Sequence, residues 1–313
     1  MKQILHYLRA YKEEHFHPGE FIFALFFMVG FAFFNYGTTI LKDYKQAHTW
    51  EWSYSIFIFI LYGAPLLLGY LSSSFFTKDW SYWRSAKFWG LILFALLAFT
   101  LRACSHLILE PFYEAMQQFE HARWMWSVIG TILRSSLVLI PITLYWFFVD
   151  RKKQNLYGFS LKGYSTRPYF VMLLIMLPLI ILASTQGDFL GAYPRGVKFD
   201  SLSIQNSAHW IYYGIYELFY GLDFISIEFF FRGFLILAFV GLLGPKSILP
   251  MAMFYVTIHW GKPAGELISS FFGGTLLGII AYYSKSILGG IIVHMGIAWM
   301  MEIGALIGNY FKT

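Results

Sequence analysis

Ionisable side chains gather between positions 217 and 302 of this 313-residue chain: Glu217, Asp223, Glu228, Arg232, His259, Lys262, Glu266, His294 and Glu302. Nearly all stand in or beside apolar runs. An ionisable group inside a membrane is expensive, so acids, bases and imidazoles gathered there point to a catalytic, metal-binding or ion-transport site. The plainer explanation is polar contact between helices plus ordinary loop charges. Glu228 and Arg232 are four residues apart, so on a helix they share a face and can pair directly. As a purely structural pair they would bring little net stability. Asp223 falls one turn before Ile227, on a face adjacent to that of Glu228. His259 ends a short apolar run and opens the breaker-rich stretch His-Trp-Gly-Lys-Pro-Ala-Gly-Glu. His294 sits inside an apolar helix, with Glu302 two turns later. A single membrane histidine is more often a packing or hydrogen-bonding residue than a ligand; two beside an intramembrane glutamate reverse that balance. Glu228, His259 and His294 suit a divalent metal such as zinc. They equally suit a metal-free arrangement in which Glu is the general base and His assists. Spacing does not choose between the two, and neither histidine is followed directly by glutamate as in the HExxH helix.

The elements that must hold these groups follow from composition. The chain is 58% hydrophobic, 21% aromatic and 13% charged, with a mean hydropathy of +0.57. Soluble domains are about a quarter charged. The imbalance excludes a disordered chain, a collagenous repeat, a coiled coil and an ordinary cytosolic enzyme. It predicts an all-α polytopic membrane protein with eight or nine transmembrane helices enclosing an intramembrane polar cavity. One cysteine, Cys104, excludes an intrachain disulfide framework and a cysteine-only metal site. The formal charge of +6 does not argue for nucleic acid, because basic residues in such a chain set topology and touch anionic membrane lipid.

Predicted spans are Phe21–Ile40, Ser53–Ser72, Phe88–Leu101, Met125–Val149, Tyr169–Ala183, Ile248–His259, Leu267–Tyr283 and Ile287–Ile307, with a long run at Trp210–Leu243. At 1.5 Å per residue that run would measure about 50 Å, too long for one upright span. It must tilt, kink or break, and Gly221 is the expected break point. The N-terminal segment is not a signal peptide and reads as a short interfacial helix. Basic residues favour one side: Lys2, Arg9 and Lys12, then Lys78, Arg84 and Lys87, then Arg151, Lys152, Lys153, Lys162 and Arg167. The alternate loops carry Lys42 and Lys45, Arg123, and Arg195 and Lys198. The N-terminus is therefore expected in the cytoplasm, and the membrane is expected to be the bacterial cytoplasmic one. The segment Asp150–Pro168 is the best boundary. It divides an N-terminal four-helix transmembrane region, residues 1–150, from a core at residues 151–313. Trp50, Trp52, Trp80, Trp83, Trp124, Trp126 and Trp146 lie near span ends, as interfacial anchors do.

Three motifs recur in order: Ile227-Glu228-Phe229-Phe230-Phe231-Arg232-Gly233, then Tyr255-Val256-Thr257-Ile258-His259, then His294-Met295-Gly296-Ile297-Ala298. With Gly273–Gly278, Ser286–Gly290 and the upstream Asn155–Phe159, they resemble the CPBP family of intramembrane proteases over residues 155–308. That family includes the type II CAAX prenyl endopeptidases (Rce1-like) and the bacterial Abi and lysostaphin-resistance proteins. Its pattern is Glu-Glu-xxx-Arg, aromatic-xxx-His, and His-xxx-Asn or a small residue.

The resemblance implies peptide-bond hydrolysis in or near the membrane, on a membrane-associated protein or peptide. It assigns Glu228, Arg232, His259 and His294 to the site. Two positions depart from the pattern. The first glutamate, implied to activate water, is Ile227 here, and the residue implied to help hold the oxyanion is Ala298. Glu228 could then act alone as base, with Arg232 orienting it. Alternatively Asp223 or Glu266 could supply the missing carboxylate. A catalytically inactive member of the same fold, serving bacteriocin immunity or acting as a scaffold, is the competing reading. A proton-coupled transporter is a third, but no paired halves with matching broken helices are visible.

Overall fold

The computed structural model describes residues 1–161, 165–196 and 209–311. Lys162 and Lys198, counted above among the loop charges, lie outside the described residues. In chain order the helices are α1 (Lys2–Glu14), α2 (Pro18–Gly37), α3 (Ile40–His48), α4 (Ser53–Thr77), α5 (Ala86–Ala103), α6 (Ser105–Leu109), α7 (Tyr113–Met116), α8 (Ala122–Tyr145), α9 (Arg167–Ala183), α10 (Gly187–Ala192), α11 (Trp210–Glu228), α12 (Val240–Leu243), α13 (Ile248–Thr257), α14 (Ala264–Ser284) and α15 (Leu288–Tyr310). The described residues contain no β-strand.

Seven runs among the described residues are long and apolar enough to cross a membrane: Pro18–Gly37, Ser53–Thr77, Ala86–Ala103, Ala122–Asp150, Trp210–Thr257, Ala264–Ser284 and Leu288–Tyr310. α9 is also apolar but shorter, at 17 residues. The fold is an all-α polytopic membrane fold. Large apolar side chains point outward along these helices, among them Phe26, Ile56, Ile140 and Leu174. A soluble monomer rarely exposes so much contiguous apolar surface, whereas lipid solvates it.

Gly221 does not break the long run. α11 passes straight through it and continues without interruption into a π-helical segment, Phe229–Ala238. The reason for a glycine there is space: Trp299 of α15 lies where a side chain at 221 would stand. The reversal comes later, in residues 239–247, where α12 and a 3-10 turn (Gly244–Ser247) lead into α13. α13 then runs back along α11's continuation, with Phe231 against Phe254 and Tyr255. With 10 residues, α13 has half the length a spanning helix needs. Its C-terminus therefore ends deep in the bundle, and this brings His259 inside. The following turn is pinned from α2 by the Tyr36 hydroxyl, which donates to the Lys262 carbonyl at 2.7 Å, and by the Asn35 side chain, which accepts from Gly261 N–H at 3.2 Å.

The core joins both halves of the chain. Phe99 of α5 packs against Phe230, and edge-on against Phe231 and Phe254, and Tyr62 of α4 packs on Phe254. Phe230, Phe231 and Phe234 are fully buried. Because lipid is as apolar as these rings, what holds them is close packing and dispersion rather than exclusion from water. The expected N-terminal interfacial helix is α1; its tip packs through Ile4 and Leu8 beside Tyr169, Leu277 and Ile280.

Candidate active site

Glu228 is the last residue of α11 before the winding changes to π, a change that often marks functional positions in helices. Its side chain is fully buried. Arg232, one turn on and equally buried, donates from Nη1 to Glu228 Oε1 at 2.8 Å. The second donor comes from another helix: His294 Nδ1 of α15 lies 2.9 Å from the same oxygen. An ionised carboxylate only accepts, so Nδ1 carries the proton. His294 Nε2 then faces the hydroxyl of Tyr255 on α13 at 3.1 Å. The result is one hydrogen-bonded chain, Arg232–Glu228–His294–Tyr255, drawn from three elements.

Tyr255 is the hub. The Arg232 guanidinium stands over its ring, 4.4 Å from the centroid. The His259 ring packs edge-on against it at 4.7 Å. His259 Nδ1 donates to the Tyr255 carbonyl at 2.8 Å, which fixes the tautomer and leaves the Nε2 lone pair bare. Glu228 Oε2 is likewise buried without a hydrogen-bond partner. It lies against the backbone of Gly290, where any side chain would collide with it. The site therefore holds two bare acceptors, one carboxylate oxygen and one imidazole nitrogen, beside a tyrosine hydroxyl and a guanidinium.

Glu228, Arg232, His259 and His294 are thus gathered around Tyr255. Asp223 is not among them. Arg102 of α5 grips it bidentately at 2.9 and 2.8 Å, Arg134 of α8 donates to it at 3.2 Å, and Ser135 donates at 2.6 Å. That cluster ties α5, α8 and α11 together and leaves Asp223 no spare lone pair for a water. Glu266 is also engaged elsewhere: Lys262 Nζ donates to it at 2.8 Å and the Tyr193 hydroxyl at 2.7 Å. Glu302 accepts from Arg195 N–H at 2.8 Å. Ile227 and Ala298, the two departures from the motif, are both buried.

His294 has Nδ1 on Glu228 and Nε2 at the Tyr255 hydroxyl. His259 donates Nδ1 to a carbonyl and keeps Nε2 for another partner, an arrangement that a metal-ligating histidine also uses. Among the described residues no three His, Cys, Asp or Glu side chains are placed to hold a metal ion.

Two participants are absent from the sequence reading. Tyr255 is part of the second motif but had no role in it; its position four residues before His259 was the available signal. Arg102 falls one residue beyond the span expected at Phe88–Leu101, and nothing in its spacing ties it to Asp223.

Residues 201–300 match the family model described as type II CAAX prenyl endopeptidase Rce1-like. The matched stretch contains Glu228, Arg232, Tyr255, His259 and His294. No curated protein and no solved structure matches the chain.

Proposed function

We propose that this chain, Rce1-like over residues 201–300, is an intramembrane endopeptidase that hydrolyses a peptide bond of a membrane-associated protein or peptide. The observation that carries the reading is the buried Arg232–Glu228–His294–Tyr255 chain with His259 packed on its hub. An ion pair and two imidazoles withdrawn from water have no comparable value as packing. In a dry site they act with full electrostatic effect.

In this mechanism His259 Nε2 or Glu228 Oε2 takes a proton from a water, and the hydroxide adds to the scissile carbonyl carbon. The tetrahedral oxyanion accepts from the Tyr255 hydroxyl, which turns to it from His294 Nε2. Collapse breaks the C–N bond, and the base returns its proton to the leaving amine. Glu228 and Arg232 hold His294 in one orientation throughout. We also place the basic N-terminal end of the bundle in the cytoplasm.

The test uses the full-length protein in liposomes with membrane-anchored peptides, prenylated and unprenylated, and cleavage read by mass spectrometry. Glu228→Gln and His259→Gln are expected to lower the rate by about 10²–10⁴-fold, the range for a lost general acid or base. The competing reading, an inactive member of the fold, draws on Ile227 and Ala298. It takes over if the wild type cleaves no anchored peptide; cleavage that both variants retain would mean that Glu228 and His259 are not the reacting groups.

A further inference from the structure

A cavity of about 860 Å³ opens where α8 ends, lined in part by Trp146, Arg151, Lys152, Leu156, Phe159 and Leu288. Glu228, His259 and His294 are not among its lining residues. We propose that it binds the headgroup of an anionic phospholipid, with the phosphodiester on Arg151 and Lys152 and the glycerol and first acyl carbons against the apolar wall. The site stands independently of the endopeptidase reading.

The cavity carries positive charge that no described acid neutralises. Between Asp150 and Asp188 the sequence holds no acidic residue, while Arg151, Lys152, Lys153, Lys162 and Arg167 all fall in that stretch. Asp150 is buried and committed: it accepts from Lys153 Nζ at 2.9 Å and from the Tyr157 hydroxyl at 2.9 Å. Arg151 and Lys152 are exposed and form no ion pair among the described residues. The Arg151 guanidinium stands over the Phe147 ring, 4.5 Å from its centroid. That contact steadies the cation without a carboxylate. Its forked donors stay available for a pair of phosphate oxygens.

The cavity is built into the fold rather than left to a loose loop. The Trp146 indole donates to the Gln154 carbonyl at 3.0 Å, and Ile287 N–H donates to the Gly158 carbonyl at 3.1 Å. Gly158 has a φ of +84°, and a side chain there would meet Leu237 and Ile287. Tyr157 is buried with its ring near Phe229 and Phe234. The backbone that carries the two cations is therefore set before a ligand arrives, which lowers the ordering cost of binding.

Position and lining favour a lipid over a soluble phosphate compound. Arg151 follows directly on the apolar run Ala122–Asp150, where basic side chains meet headgroups. Phe148 is 77% exposed, and Leu161, which also lines the cavity, is 79% exposed. Apolar side chains so exposed need lipid around them, so the cavity lies at the level where acyl chains give way to headgroups. Its volume falls within the range of about 300–1,000 Å³ usual for small-molecule sites. A phosphate alone would leave Leu156, Phe159 and Leu288 facing water.

The experiment uses full-length protein in a non-ionic detergent, titrated with phosphatidylglycerol or phosphatidylcholine of the same acyl chains. Bound lipid is counted by native mass spectrometry. Phosphatidylglycerol should bind at least tenfold more tightly. Arg151→Gln with Lys152→Gln should abolish that preference, at about fivefold for each basic residue beside a headgroup. Arg84→Gln with Lys87→Gln removes two charges from another loop and should leave it intact. Asn155→Trp fills the cavity with both cations in place and should weaken phosphatidylglycerol at least fivefold. A thermal-unfolding scan without lipid shows that each variant is folded. Added phosphatidylglycerol should raise the unfolding temperature of the wild type and not that of the variant lacking Arg151 and Lys152. Equal affinity for the two lipids overturns the site. So does an equal loss in both paired variants, which would make the effect one of net charge. Undiminished binding in Asn155→Trp would put the lipid outside the cavity and overturns it too. Displacement of phosphatidylglycerol by an equal concentration of glycerol phosphate overturns the lipid assignment in favour of a soluble phosphate ligand.

Discussion

His294 on α15 and Glu228 on α11 are 66 residues apart in the chain, yet the imidazole Nδ1 lies 2.9 Å from the carboxylate Oε1. Arg232 meets the same oxygen at 2.8 Å. One fully buried oxygen thus takes both donors, and the other oxygen takes none.

Removing only the cation should therefore be worse than removing the whole pair. Arg232→Met leaves a buried carboxylate with a single neutral donor, a loss of about 3–5 kcal/mol when a buried pair is broken. Glu228→Gln with Arg232→Met should recover a large part of that. Denaturant titration in micelles of the two singles and the double checks it; strictly additive losses would contradict the coupling.

Gly290 is the contact surface for Glu228 Oε2. Gly290→Ala should push the carboxylate off the His294 ring even though alanine favours a helix interior over glycine by about 1 kcal/mol. Peptide cleavage is expected to fall by more than tenfold without loss of helical signal. Unchanged cleavage would show that the carboxylate position does not matter.

Tyr255→Phe keeps the ring beneath Arg232 and removes the hydroxyl that faces His294 Nε2. Stability should change by only about 1 kcal/mol, the net value of one hydrogen bond. The cleavage rate should fall about tenfold to a hundredfold while KM stays near its wild-type value. A KM effect alone would mean that Tyr255 contacts bound substrate rather than the reacting group.

Cys104, just past the end of α5, is buried, and its burial pushes the thiol up to about 11. Reaction with a thiol reagent requires the thiolate. At neutral pH the folded protein should label slowly, the rate should climb with pH toward that value, and unfolding should release fast labelling. Mass spectrometry of maleimide-treated protein reads this directly. Fast labelling of folded protein near pH 7 would refute it.

Parts of this protein could be read one helix at a time. Composition required a membrane, because 13% charged residues in 313 cannot cover a soluble surface. Glu228 and Arg232 could be paired from spacing, since residues four apart on a helix are neighbours in any fold. Both histidines stood out by their place in or beside apolar runs, where a polar side chain is costly. Gly221 misled because a glycine in an apolar run signals either a break or a close approach, and only the partner helix, here through Trp299, says which.

Everything that depends on which helix stands next to which was left to the tertiary structure. Asp223 and Glu266 looked like spare carboxylates in the sequence. Arg102 and Arg134, arriving from α5 and α8, hold the first, and Tyr193 with Lys262 holds the second. Burial leaves a charge no choice but to be paired, and the partner is fixed by packing rather than by spacing. The sequence alone determined an apolar helical chain with costly groups in its C-terminal half. The packing of α11, α13 and α15 decided that Glu228, His294, Tyr255 and His259 share one place, because hydrogen bonds between helices depend on ångström-scale approach that no periodicity encodes.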